Sequence, residues 1–165
     1  RDVAVAGPAA DRPVLGAVVV AVRVCVLLVD LGPGRPAHAE IEIVVVDDDE
    51  TIRKTFFLIL NQSYRVYLAK DGQEVLERFK KSDVDLIIAD YRLPTMDGIE
   101  LVSALRKAGY RGDVILISAH ADMIEPDVLS RLAISHFFAK PLDLAALSRS
   151  IDYLLNGRDA LERRI

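Results

Sequence analysis

Ile41-Glu42-Ile43-Val44-Val45-Val46-Asp47-Asp48-Asp49-Glu50 is an apolar run that breaks abruptly into four consecutive carboxylates. A short β-branched run bounded in this way reads as a buried strand, and the acidic residues behind it as a loop and the first turn of a helix. Further along the chain the pattern repeats. Strand-like runs fall at 41–46, 64–69, 85–89, 113–117 and 135–139. Between them, apolar residues recur at helical spacing: Ile52, Phe56, Ile59 and Leu60, then Val75, Leu76 and Phe79, then Ile99, Val102 and Leu105. A last helix starts near Asp143, a plausible cap after Pro141, and sets Leu144, Leu147, Ile151 and Leu154 on one face. Strands alternating with amphipathic helices predict an α/β fold with a parallel sheet covered on both faces.

Four of the strand-like runs end in polar residues: Asp47-Asp48, Asp90, Ser118 and Lys140-Pro141. In an open parallel sheet ligands bind beyond the carboxyl ends of the strands, so these residues are expected to converge on one pocket. Clustered carboxylates repel and raise each other's proton affinity unless a cation joins them, and an acidic all-oxygen cluster suits Mg2+. The pocket reads as a phosphoryl-transfer site with Asp90 as nucleophile.

The order of these residues resembles the receiver domain of two-component response regulators over roughly 40–155. The strand into Asp47-Asp48-Asp49 carries the resemblance, as do the strand into Asp90, the segment Leu93-Pro94-Thr95-Met96-Asp97-Gly98, Ser118-Ala119, and Phe137 three residues before Lys140-Pro141. It implies a doubly wound, flavodoxin-like sheet of five parallel strands in the order 2-1-3-4-5. It also implies roles. Asp90 would be the phosphoacceptor, a covalent nucleophile and not part of a conventional enzyme. Asp48 would ligate Mg2+ directly and Asp47 through water, with Asp90 and the main-chain carbonyl of Arg92 completing the protein ligands. Lys140 would reach the phosphoryl oxygens beside a cis Lys-Pro peptide. Ser118 and Phe137 would form the switch. Implied partners are a sensor histidine kinase or histidine phosphotransfer protein and a downstream effector protein or domain, with a homodimer through the fourth helix, fifth strand and fifth helix as a further expectation. The chain would then be either a stand-alone receiver or the receiver portion of a larger regulator whose DNA-binding or enzymatic output domain lies outside it.

Plainer readings stand beside these. Asp49 and Glu50 are expected to be ordinary helix-start carboxylates that meet the positive end of the helix dipole. Ser118 could be a turn hydroxyl and Phe137 simple core. Arg92 and His120, each two residues past a pocket residue, are expected at its rim. His136 is expected to point away from the pocket, and His38 lies in a linker. One departure from the family's pattern falls before the fifth strand: Ala133-Ile134 stands where Gly-Ala is usual, and a left-handed Ala133 would cost about 1 kcal/mol relative to glycine. The fourth helix, read as broken by Pro126, is expected to end differently or to be shifted.

The 165 residues allow one core of ordinary domain size, and the net charge of −4, with no basic stripe, argues against direct nucleic-acid binding. The single cysteine, Cys25, excludes a disulfide framework and a cysteine metal site, and a cytoplasmic setting is expected. Residues 1–39 match nothing in the family. Their apolar run 14–29 is short of spanning length and is interrupted by Arg23, so it is read as a disordered or artefactual upstream stretch. A membrane anchor, a signal-like segment or an extra packed element are the alternatives. Residues 156–165 are read as a tail or the start of a linker helix.

Overall fold

The computed structural model describes residues 41–79, 84–120, 122 and 124–162. The expectations placed on 1–39, including Cys25, His38 and the run 14–29, lie outside these residues. Among the described residues five strands and five helices alternate: β1 (Glu42–Val46), α1 (Glu50–Leu60), β2 (Arg65–Ala69), α2 (Gly72–Phe79), β3 (Leu86–Asp90), α3 (Gly98–Lys107), β4 (Asp113–Ser118), α4 (Pro126–Arg131), β5 (His136–Ala139) and α5 (Leu144–Glu162). All pairings are parallel and the order is β2-β1-β3-β4-β5, as expected.

Strand periodicity sorts the core into two faces. Val44, Val46, Ile87, Ala89, Val114 and Leu116 pack with Val75, Phe79, Leu101, Val102 and Leu105 of α2 and α3. The alternate residues Ile43, Val45, Leu86, Ile88, Ile115 and Ile117 pack with Phe56 and Leu60 of α1 and Leu147, Ile151 and Leu155 of α5. A sheet buried on both sides needs continuous apolar strands, which is why these runs show little polar alternation. Two helix faces turn slightly from the sequence reading: Leu101 rather than Ile99 is buried on α3, and Leu155 rather than Leu154 on α5.

The helix starts are chemically specified. Asp49 caps α1, accepting from the backbone N–H of Thr51 at 2.7 Å and of Ile52 at 3.4 Å. Asp97 and Glu100 form a reciprocal capping box on α3, and the Asp143 carboxylate accepts from Ala145 and Ala146 at the start of α5. Pro126 does not break α4. It opens the helix, where its missing N–H costs nothing. α5 runs on to Glu162, past Leu155 where the family resemblance ends. No helix among the described residues is long and apolar enough to cross a membrane.

Candidate phosphoryl-transfer site

β1 and β3 are neighbours, yet the chain leaves them toward opposite edges of the sheet, and the crevice beyond their carboxyl ends is the place where open α/β sheets bind ligands. Asp47 follows β1 and Asp90 closes β3, and both are buried, at 3% and 6% exposure. Between them stands one cation. Lys140 Nζ lies 2.6 Å from Asp90 Oδ1 and 3.5 Å from Asp47 Oδ2. It is delivered by the end of β5, where its backbone N–H donates to the Ser118 carbonyl at 2.8 Å and the Lys140-Pro141 peptide is cis.

Backbone groups fix the remaining carboxylate oxygens. Asp47 Oδ1 accepts from the Asp49 N–H and Asp90 Oδ2 from the Arg92 N–H, each at 2.8 Å. Ser118, 1% exposed at the end of β4, accepts from the His120 N–H at 2.9 Å through Oγ. The loop after Asp90 folds back because Gly98 donates its N–H to the Tyr91 carbonyl at 2.7 Å. A Cβ at Gly98 would stand 2.7 Å from the Asp90 carbonyl oxygen, so this close approach requires glycine. Arg92 and His120 meet at the rim, 3.5 Å apart through Nη1 and Nε2.

Two buried carboxylates facing one ammonium leave the pocket negative. Burial pushes the Asp47 carboxyl above its ordinary value and Asp90 pushes the same way, against the Asp49 N–H and Lys140, which lower it. Lys140 is pulled down by burial, but its hydrogen bond to Asp90 and the two negative charges hold it above its usual value.

The side chains of Asp47, Asp90 and Lys140 come together, and Ser118 joins them through its main-chain carbonyl. Asp49 is committed to capping. Asp48 is exposed beside the pocket, and among the described residues no three acidic, histidine or cysteine side chains approach closely enough to enclose a metal. The donor chemistry still fits a hard cation: oxygen atoms only, with an unneutralised negative charge at the buried end. Phe137 is half-buried against the core cluster that also takes Leu129, Leu132 and Ile134. His136 lies with its ring centroid 6.4 Å from that of Phe138. One contributor escaped the sequence reading. Arg53, one turn into α1, donates from Nη1 to the Asp47 carbonyl at 2.6 Å and ties the helix to the acidic loop.

A family model described as the response regulator receiver domain matches residues 43–152. The chain belongs to the response regulator receiver family. This receiver is 33% identical over 130 residues to the transcriptional regulatory protein GlrR of Escherichia coli, an alignment covering 78% of this chain and 27% of GlrR. The chain thus spans about a quarter of that relative's length. Among solved structures, the non-phosphorylated HemR receiver domain of Leptospira biflexa is 27% identical with a TM-score of 0.65, covering 69% of this chain and 93% of that one. Response regulator TrrA of Thermotoga maritima, in complex with Mg2+ and BeF, is 28% identical with a TM-score of 0.61, covering 70% and 99%.

Proposed function

We propose that this receiver takes a phosphoryl group onto Asp90 from a phosphohistidine of a sensor kinase or histidine phosphotransfer protein, and signals through the surface formed by α4, β5 and α5. The observation that carries the reading is the Lys140–Asp90 contact in a buried pocket shared with Asp47. An Asp90 oxygen attacks phosphorus in line, the P–N bond to the donor imidazole breaks, and the imidazole keeps the electron pair and takes a proton. Such a transfer asks the protein mainly for alignment and charge neutralisation. Lys140, already aimed at Asp90, follows the charge onto the phosphoryl oxygens.

The residues that would hold Mg2+ are Asp47, Asp48, Asp90 and the Arg92 carbonyl. When bound, the ion adds positive charge where the phosphoryl oxygens arrive. The capture of TrrA with Mg2+ and BeF, in a relative of the same fold, supports this choice of ion.

Ser118 would donate its hydroxyl to a phosphoryl oxygen and give up its present contact with the His120 N–H, while Phe137, half-buried against the same core cluster as Leu129 of α4, changes its packing. That makes the domain a two-state switch biased by a charged group. Residues 40–155 form the switching unit. Because α5 continues beyond it and GlrR is much longer than the matched region, an output domain joined through this helix is the favoured arrangement, with a stand-alone receiver as the other.

The test is transfer from an autophosphorylated histidine kinase. Label passes from the kinase to this chain when Mg2+ is present and stays on the kinase when the ion is chelated. Transfer that is indifferent to chelation overturns the assigned chemistry.

A further inference from the structure

The turn between α4 and β5 contains a conformation that its sequence does not favour. Ala133 has φ +50°, the left-handed region in which a Cβ costs about 1–2 kcal/mol. The hydrogen bonds around it are those of a Schellman helix end: the Ile134 N–H donates to the Leu129 carbonyl at 2.9 Å and the Ala133 N–H to the Ser130 carbonyl at 3.1 Å. Glycine is the usual residue at this position. Something in the fold must hold an alanine there.

The Arg106 side chain, from the last turn of α3, reaches this turn. Its Nε donates to the Leu132 carbonyl at 2.9 Å and its Nη2 to the Ala133 carbonyl at 2.8 Å. Its Nη1 donates to the carbonyls of Tyr110 at 3.1 Å and Gly112 at 2.9 Å, and the guanidinium carbon stands 5.3 Å from the Tyr110 ring centre. One planar cation thus joins the end of α4 to the loop that enters β4. Carbonyls at a helix end lack intrahelical partners and carry the negative end of its dipole, so a guanidinium is well matched to them. A guanidinium fork fits such convergent acceptors better than an ammonium.

We propose that Arg106 is a positioning residue that caps α4 from α3 and holds the left-handed Ala133 turn in place of a glycine, so fixing the entry to β5 and the seat of Phe137. The fixed end then defines how α4 can move. Its C-terminal end is pinned, while its N-terminal end follows the loop from Ser118, so a signal from the pocket would swing α4 about the Arg106 anchor. This last consequence rests on the phosphoryl-switch reading. The anchoring itself does not, and it is tested without phosphorylation.

The experiment is site-resolved amide hydrogen exchange of the unphosphorylated chain, comparing the parent with Arg106→Gln, Arg106→Lys, Ala133→Gly and Arg106→Gln/Ala133→Gly. A charge-assisted hydrogen bond lost from a helix end corresponds to about tenfold faster local opening, so Arg106→Gln should accelerate the Ile134 amide by about that factor while amides of β1 and β3 keep their rates. Arg106→Lys should restore part of the protection. In the Ala133→Gly background, where the turn is unstrained, Arg106→Gln should change Ile134 by less than about threefold. Unchanged exchange in Arg106→Gln overturns the proposal. So does an effect as large in the glycine background as in the parent; if Arg106→Gln alone loses its fold, Arg106→Gln/Ala133→Gly should recover it, and failure of that recovery overturns the proposal as well. Loss of anchoring with normal Asp90 phosphorylation, or the reverse, separates failure of this inference from failure of the phosphoryl-transfer reading.

Discussion

Lys140 Nζ stands 2.6 Å from Asp90 Oδ1, so the cation expected to receive a phosphoryl group already neutralises the nucleophile that would carry it. The same ammonium lies 3.5 Å from Asp47 and is about a quarter exposed. One ammonium therefore faces two buried carboxylates and offsets only one of their charges.

Removing it should be costly at neutral pH. Lys140→Ala leaves two adjacent carboxylates without their cation, and we expect a loss of about 2 kcal/mol, less than for a fully buried pair because water reaches the lysine. The fold should survive and Asp90 should still accept some phosphoryl group, but the response of the α4–β5–α5 surface should be lost. Chemical denaturation gives the first quantity and phosphorylation-dependent partner binding the second; unchanged stability together with a normal response would contradict the role.

Asp47 gives the metal-free domain a distinctive pH dependence. Its folded carboxyl, raised chiefly by burial, holds a proton more tightly than it does in the unfolded chain. Stability should accordingly fall as pH rises from the ordinary carboxylate value of about 4 through the raised folded value, and the penalty should persist at neutral pH. Lys140, raised above its usual value by its two carboxylate partners, contributes stability that is complete at neutral pH and is lost only in alkali. In Asp47→Asn the fall just above pH 4 should be reduced, as read by melting temperature across the range. An equal slope in parent and variant would place the unfavourable charge elsewhere.

Mg2+ should reverse that penalty by mass action, because the unfolded chain has no assembled site. At about a hundred times the Kd the gain is about 2.7 kcal/mol, visible as a raised Tm. Asp48→Ala should abolish the dependence. A Tm equally responsive to Mg2+ in that variant would remove Asp48 from the ligand set.

Much of this site was legible because each of its residues closes a strand. Asp90, Ser118 and Lys140 follow apolar runs, and Asp47 follows the most strand-like run in the chain, so parallel topology alone gathers them. Asp49 could be set aside as a cap on local chemistry. What the sequence concealed was main-chain recognition. Arg53 and Arg106 both act on backbone carbonyls, which leave no side-chain signature at the receiving positions. Helix register blurred for a different reason: α3 offers apolar residues at 99, 101, 102 and 105, and only packing decides that Leu101 belongs inside. Pro126 was ambiguous in kind, since the same residue breaks a helix interior and starts a helix well.

The most direct test of the account is intact-mass analysis after incubation with Mg2+ and a small acyl-phosphate donor. The chain should gain one phosphoryl group, the modification should map to Asp90, and Asp90→Asn, which keeps the shape but removes the anionic nucleophile, should gain none. Undiminished labelling of Asp90→Asn would contradict the central claim.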